Sequence, residues 1–265
     1  MEKFFRFAAR HPRWSRILIL PPLLLLAIYL SSLDVPYGVI WVIVFTVIFP
    51  YALAVTMAAM FLMNPKVRLL NEQCDPAPLL ETTAFLLTCL LSPAHRLVTS
   101  MNHAVALREL GAYEEAQKVM TGIDLTQPRK IPPMAKFVYF HNMADFLDHL
   151  GHTEEADAMH EKALSFWDAI PQKRKSPALE NTVRLAQASA CCRHGEFIRA
   201  VEILQDMNCA DARQRVERGM YLARCAIALG QTDRAAQWLR YVMEHGSLLH
   251  MAAEARQMLE HLENS

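Results

Sequence analysis

The stretch Leu110–Ala116, LGAYEEA, decides how this chain reads, because three weaker copies follow it: LGHTEEA from Leu150, HGEFIRA from His194 and LGQTDRA from Leu229. In each copy a Gly stands five residues before an Ala, pairing Gly111 with Ala116, Gly151 with Ala156, Gly195 with Ala200 and Gly230 with Ala235. A second Ala precedes each Gly by seven residues, at Ala104, Ala144, Ala188 and Ala223. A residue without Cβ can end a helix in the left-handed region at little cost. Small residues on both sides of that turn let two antiparallel helices touch closely. The pattern predicts a helical hairpin, repeated.

Outward from the turns, the apolar spacing is helical to the end of the chain, with no strand-like alternation of any length. It predicts helix pairs at about 94–110 with 113–122, 134–150 with 153–169, 178–194 with 196–207, and 212–229 with 232–244. Breakers fall between pairs at Pro128, Pro132, Pro133, Pro171 and Pro177. The last stretch, 247–262, places Leu248, Met251, Ala252, Ala255, Met258, Leu259 and Leu262 on one stripe, with Glu254, Gln257, Glu260 and His261 opposite. Such a one-sided helix closes the open end of a stack of repeats.

The LG-x-Y/F/T-x-x-A turn with a small residue before it resembles the tetratricopeptide repeat, whose unit is about 34 residues. The Gly-to-Gly spacings of 40, 44 and 35 are longer in the first two intervals. Tyr113 and the closing Pro128 strengthen the match in the first repeat, while Thr153, Phe197 and Thr232 replace the Tyr elsewhere. The resemblance covers roughly residues 94–262. It implies a right-handed superhelix of helix pairs whose concave groove binds an extended peptide or a helix of another protein, as a scaffold or adaptor. In that geometry the groove is lined by Met101, Val105 and Arg108 in the first repeat. His141, Asp145, Asp148 and His149 follow in the second, and Arg193, Glu217 and Arg224 in the third and fourth. It would run from apolar, through acidic, to mainly basic.

Before the repeats the composition changes. Residues 1–16 form a basic arm, expected to be cytoplasmic, and Ile17–Leu33 is an apolar run of 17 residues. Val39–Met63 follows as 25 residues without a charge. About 20 apolar residues span a bilayer core, so 17–63 reads as a transmembrane helical hairpin rather than a cleaved signal, with a connector at Ser31–Gly38 containing Asp34. Lys and Arg flank the two runs on the outer sides only. That places both termini in the cytoplasm of a bacterial-type plasma membrane, with the lipid bilayer as a partner. Residues 64–78 read as a linker, and 79–91 as a helix packed beneath the first repeat rather than on the membrane. The expected fold is therefore all-α: a two-helix hairpin, then a solenoid of about four helix pairs over 79–265 with a C-terminal capping helix.

After position 70 the chain holds 20 basic and 25 acidic residues, which argues against a nucleic-acid surface. The six Cys form no C-x-x-C pair and read as buried thiols, not a zinc site. No nucleophile elbow, phosphate loop or H-E-x-x-H occurs. His141, Asp145 and His149 at four-residue steps could approach a metal ion, but a polar groove face explains them as well, and no metal or cofactor is expected. His103 and His160 fall on apolar faces as core residues, and Lys173, Arg174 and Lys175 as a solvated loop. These features point to a binding module rather than an enzyme. Assembly of a larger membrane complex is the second reading, and a metal-dependent enzyme the third.

Overall fold

All four turn glycines adopt left-handed backbone, with φ of +82° at Gly111, +79° at Gly151, +75° at Gly195 and +70° at Gly230. After each, the next N–H donates to the carbonyl five residues back: Ala112 to Leu107 at 3.0 Å, His152 to Leu147 at 2.9 Å, Glu196 to Cys191 at 2.8 Å and Gln231 to Ala226 at 2.8 Å. This is the Schellman arrangement, which satisfies carbonyls left over at a helix end. The eight alanines flanking the turns are at most 5% exposed.

The computed structural model describes residues 2–17, 20–33, 35–89, 92–126 and 131–264. Among these there is no strand. The helices are α1 (Glu2–Arg10), α2 (Pro12–Ile17), α3 (Leu20–Ser32), α4 (Tyr37–Thr56), α5 (Ala58–Gln73), α6 (Ala77–Leu87), α7 (Pro93–Glu109), α8 (Tyr113–Thr121), α9 (Pro133–His149), α10 (Thr153–Asp168), α11 (Pro177–Arg193), α12 (Phe197–Gln205), α13 (Ala212–Ala228), α14 (Thr232–His245) and α15 (His250–Glu263). From α7 onward they match the four expected pairs and the final helix to within a few residues. Ser92 and Ser176 start α7 and α11 by accepting from the N–H of His95 and Leu179, each with a Pro at the first helical position, and Asp211 starts α13 by accepting from Gln214. Pro128 and Leu91 lie outside the described residues.

The stack is solenoid-like, but it curls until its ends meet. α13 of the fourth pair packs on α5, and α15 packs on α7. One apolar core therefore joins Leu62, Leu70, Leu79 and Leu86 before the repeats to Val216, Leu239, Val242 and Leu259 at their end.

Several expectations for the first 90 residues are corrected. The second apolar run is divided at Met57, and its last part becomes the first turns of α5, where Ala58, Ala59, Leu62 and Met63 are buried. The described part of α3, Leu20–Ser32, has 13 residues, about 20 Å at 1.5 Å per residue, against a core of about 30 Å. Among the described residues no helix is long and apolar enough to cross a membrane. The transmembrane hairpin, and with it the integral membrane placement with cytoplasmic termini, is not supported. Leu18, Ile19 and Asp34 lie outside the described residues. The 64–78 linker is helical through Gln73, where α5 ends on Cys74 with φ of +55°. α6 packs against α5 and α7 with Leu79 and Leu86 fully buried, as beneath the first repeat. The basic arm folds back as well: Phe5 stacks on Phe61 at 5.0 Å, Arg6 reaches Glu81 at 3.5 Å, and Ala8 and Ala9 are buried.

Candidate functional site

Because the repeats curl, the inner helices α7, α9, α11 and α13 aim their polar stripes at one centre. Arg108 near the end of α7 donates to Asp145 of α9 at 2.6 Å and to its neighbour Glu109. Arg213 on α13 donates to Glu109 at 3.1 Å and to Asn71 of α5 at 3.3 Å. Glu217, one turn further along α13, lies 3.6 Å from Arg213 and 3.9 Å from Arg108. The first, second and fourth repeats and α5 are thus tied through one charge network. Arg108, Glu109 and Asp145 expose no more than 8% of their side chains.

Burial alone would push the Asp145 carboxyl up, but the Arg108 guanidinium, helped by His149 and His141, holds it well below the usual carboxylate range. Glu109 is likewise desolvated, yet Arg108 and Arg213 keep it low. At Glu217 burial prevails over the same two cations and its carboxyl is raised. The difference follows from geometry, since Glu217 sits at the longer separations.

A second cluster joins the second and third repeats. Arg193 of α11 reaches Asp157 at 2.9 Å and Asp148 at 3.1 Å, and Ser189 donates to Asp148 at 2.9 Å. A third closes the rim. Arg224 donates to Glu254 of α15 at 3.1 Å, and Tyr113 stacks on His149 at 4.5 Å with the His250 ring edge-on at 5.8 Å. Between these clusters lies a cavity of ≈30 Å³ bounded by Arg108, Asp145, Glu217, Tyr221 and Arg224, and a smaller one of ≈10 Å³ beside His141, His160 and Arg193. The concave interior is filled by the protein's own side chains.

Eight of the ten groove residues named from sequence do gather here: Arg108, His141, Asp145, Asp148, His149, Arg193, Glu217 and Arg224. The other two do not. Met101 is buried in an apolar cluster with Leu97, Tyr139 and Phe146, and Val105 packs against the core shared with the chain's end. His141 stacks on Phe137 at 5.9 Å, and burial depresses its pKa to about 4 despite Asp145. His149 turns its Nδ1 to the Asp145 carbonyl at 2.9 Å. Among the described residues no three His, Cys, Asp or Glu are grouped to hold a metal ion. His103 contacts Thr83 at 2.9 Å, and burial lowers its pKa, as it does that of His160. Lys175 of the basic loop lies over the Trp167 ring at 4.3 Å.

Sequence reasoning missed Glu109, Arg213, Asp157 and Glu254. The Arg213–Glu217 spacing of four residues was a visible signal, but Glu254 lay on the stripe expected to face solvent. No family model, curated protein or solved structure matches this chain.

Proposed function

We propose that the chain is a helical-repeat scaffold of tetratricopeptide type that binds a partner protein across the mouth of its ring. The observation that carries this reading is the graded exposure of the inner face. Arg108 and Asp145 lie sealed at 8%, whereas Asp148, His149, Glu254 and Arg224 expose 18%, 19%, 24% and 34% of their side chains at the rim. Desolvated pairs in good geometry exchange poorly for a partner's charges. Rim groups with both signs of charge and a stacked aromatic pair can offer complementary contacts without that loss. The partner accordingly lies across the rim rather than threading the interior. A photo-crosslinking residue placed at Arg224 or His149 should capture one defined protein in cells, and one placed at the exposed Glu154 or Glu155 of α10 should not. Equal capture from both faces would overturn the concave-rim assignment.

A second reading, an assembly subunit of a larger complex, draws on α3 and α4. Leu24, Leu25, Ile28, Trp41, Phe45 and Phe49 are all more than half exposed on helices without a charge. Apolar surface of that extent marks an interaction face. Deletion of 20–56 that preserved partner capture while changing particle size in the native extract would favour it.

A further inference from the structure

The outer side of the ring carries a cleft of ≈160 Å³ where the third and fourth hairpins cross. It is lined by the apolar Val201 of α12 and Leu222 and Ala226 of α13, by Trp238, and by the polar Gln205, Arg218, Gln231 and Arg234. No Asp or Glu lines it. On the inner face the opposite holds, since Arg108, Arg193, Arg213 and Arg224 each have a carboxylate oxygen within 3.1 Å. Arg218 instead gives Nη1 to the Met207 carbonyl at 2.7 Å, and its guanidinium lies 5.9 Å from the Trp238 ring centre. Its Nε–H is buried without an acceptor. Arg234 donates to the neutral amide oxygen of Gln231 at 3.1 Å and has no carboxylate partner among the described residues.

Neither guanidinium has a carboxylate partner here, so each can pair with one that a ligand brings. Two guanidiniums lining one cleft with apolar side chains and an indole fit an anion with an apolar body, because carboxylate oxygens match the guanidinium fork while the apolar lining takes the carbon frame. A water occupies about 30 Å³ and drug-sized pockets are about 300 Å³ or more, so the occupant is a fragment of one ring or a short chain. We propose that this cleft is a binding site for a small organic carboxylate of that kind, separate from the rim and independent of the scaffold reading.

The test is fluorine NMR of 4-fluorobenzoate with the full chain, beside 4-fluorobenzyl alcohol as the neutral counterpart. The expected result is saturable broadening of the acid alone, weakened at least tenfold by Arg218→Gln and by Arg234→Gln, with no change in Arg240→Gln, whose side chain pairs with Glu263 elsewhere. Arg218→Gln also removes the tether to Met207, so the exposed Arg234→Gln keeps the test valid if the first variant misfolds. Equal binding of the alcohol, wild-type binding by Arg234→Gln, or no saturable binding of the acid would overturn the proposal.

Discussion

Replacing Arg108 with Leu tests whether the central charge network holds the ring together. The substitution removes hydrogen bonds to Asp145 and Glu109, both almost fully buried. Asp145 would lose its cation and be left beside His149, whose Nδ1 is 3.8 Å away, and His141, while Glu109 would keep Arg213 at 3.1 Å. Removing one member of a buried pair costs about 3–5 kcal/mol, most of it from the stranded charge. At about 2–4 °C per kcal/mol for a domain of this size, the midpoint of thermal unfolding should fall by about 6–20 °C. Urea and thermal melts followed by circular dichroism read this directly. Arg108→Leu combined with Asp145→Leu should recover part of the loss, because the stranded carboxylate is gone. A loss below about 1 kcal/mol, the range of an exposed pair, or strict additivity in the double variant, would refute the network. The pH sign is also fixed: the Asp145 pKa is depressed on folding, so its contribution is present above the unfolded value and lost as pH falls towards the folded one.

Gly195→Ala meets no atom within 4 Å but must hold φ of +75°, so it should cost about 1–2 kcal/mol. Gly111→Ala should cost more, since the new Cβ would clash with the His250 ring. Ala223→Leu, at a fully buried helix crossing, should lose about 1–3 kcal/mol, and an unchanged melting midpoint would show the crossing is loose. The pKa of His141 is lowered to about 4, so between roughly pH 6.5 and 4 the unfolded chain binds the extra proton and stability falls as pH drops. That slope should flatten in His141→Gln, read from urea midpoints across the window. The Cys192 and Cys225 sulfurs lie 3.4 Å apart, so diamide should remove two titratable thiols without forming dimers, and Cys192→Ser should abolish the intramolecular crosslink.

The hairpins were legible in the sequence because each turn is a local device. A Gly at a helix end, a small residue seven positions before it and another five after it act within one supersecondary unit. Ring closure was not legible, because a stripe such as Arg213, Glu217 and Arg224 on α13 has the same periodicity whether it faces water, a partner or another repeat. Met101 was misplaced for a related reason: it is buried against Tyr139 and Phe146, on the side of α7 that meets α9. Hydropathy failed at Ala58–Met63 because an all-apolar stretch reads alike whether it faces lipid or a core. Here α1, α6 and the repeat end cover it.

A linear stack of repeats unfolds from its ends, since each unit answers only to its neighbours. In this chain the end units hold each other through Arg213 with Glu109, and through α15 against α7. Fraying is thereby penalised at both ends together, and the molecule should melt in a single transition rather than in steps. The same long-range contacts raise the mean sequence separation of its contacts, so refolding should be slower than in an open array of equal length. A circular permutant of the full chain opened in the Gly151 turn, with its native ends joined by a flexible linker, would shorten the sequence separation of the ring contact and should refold faster while keeping the single transition.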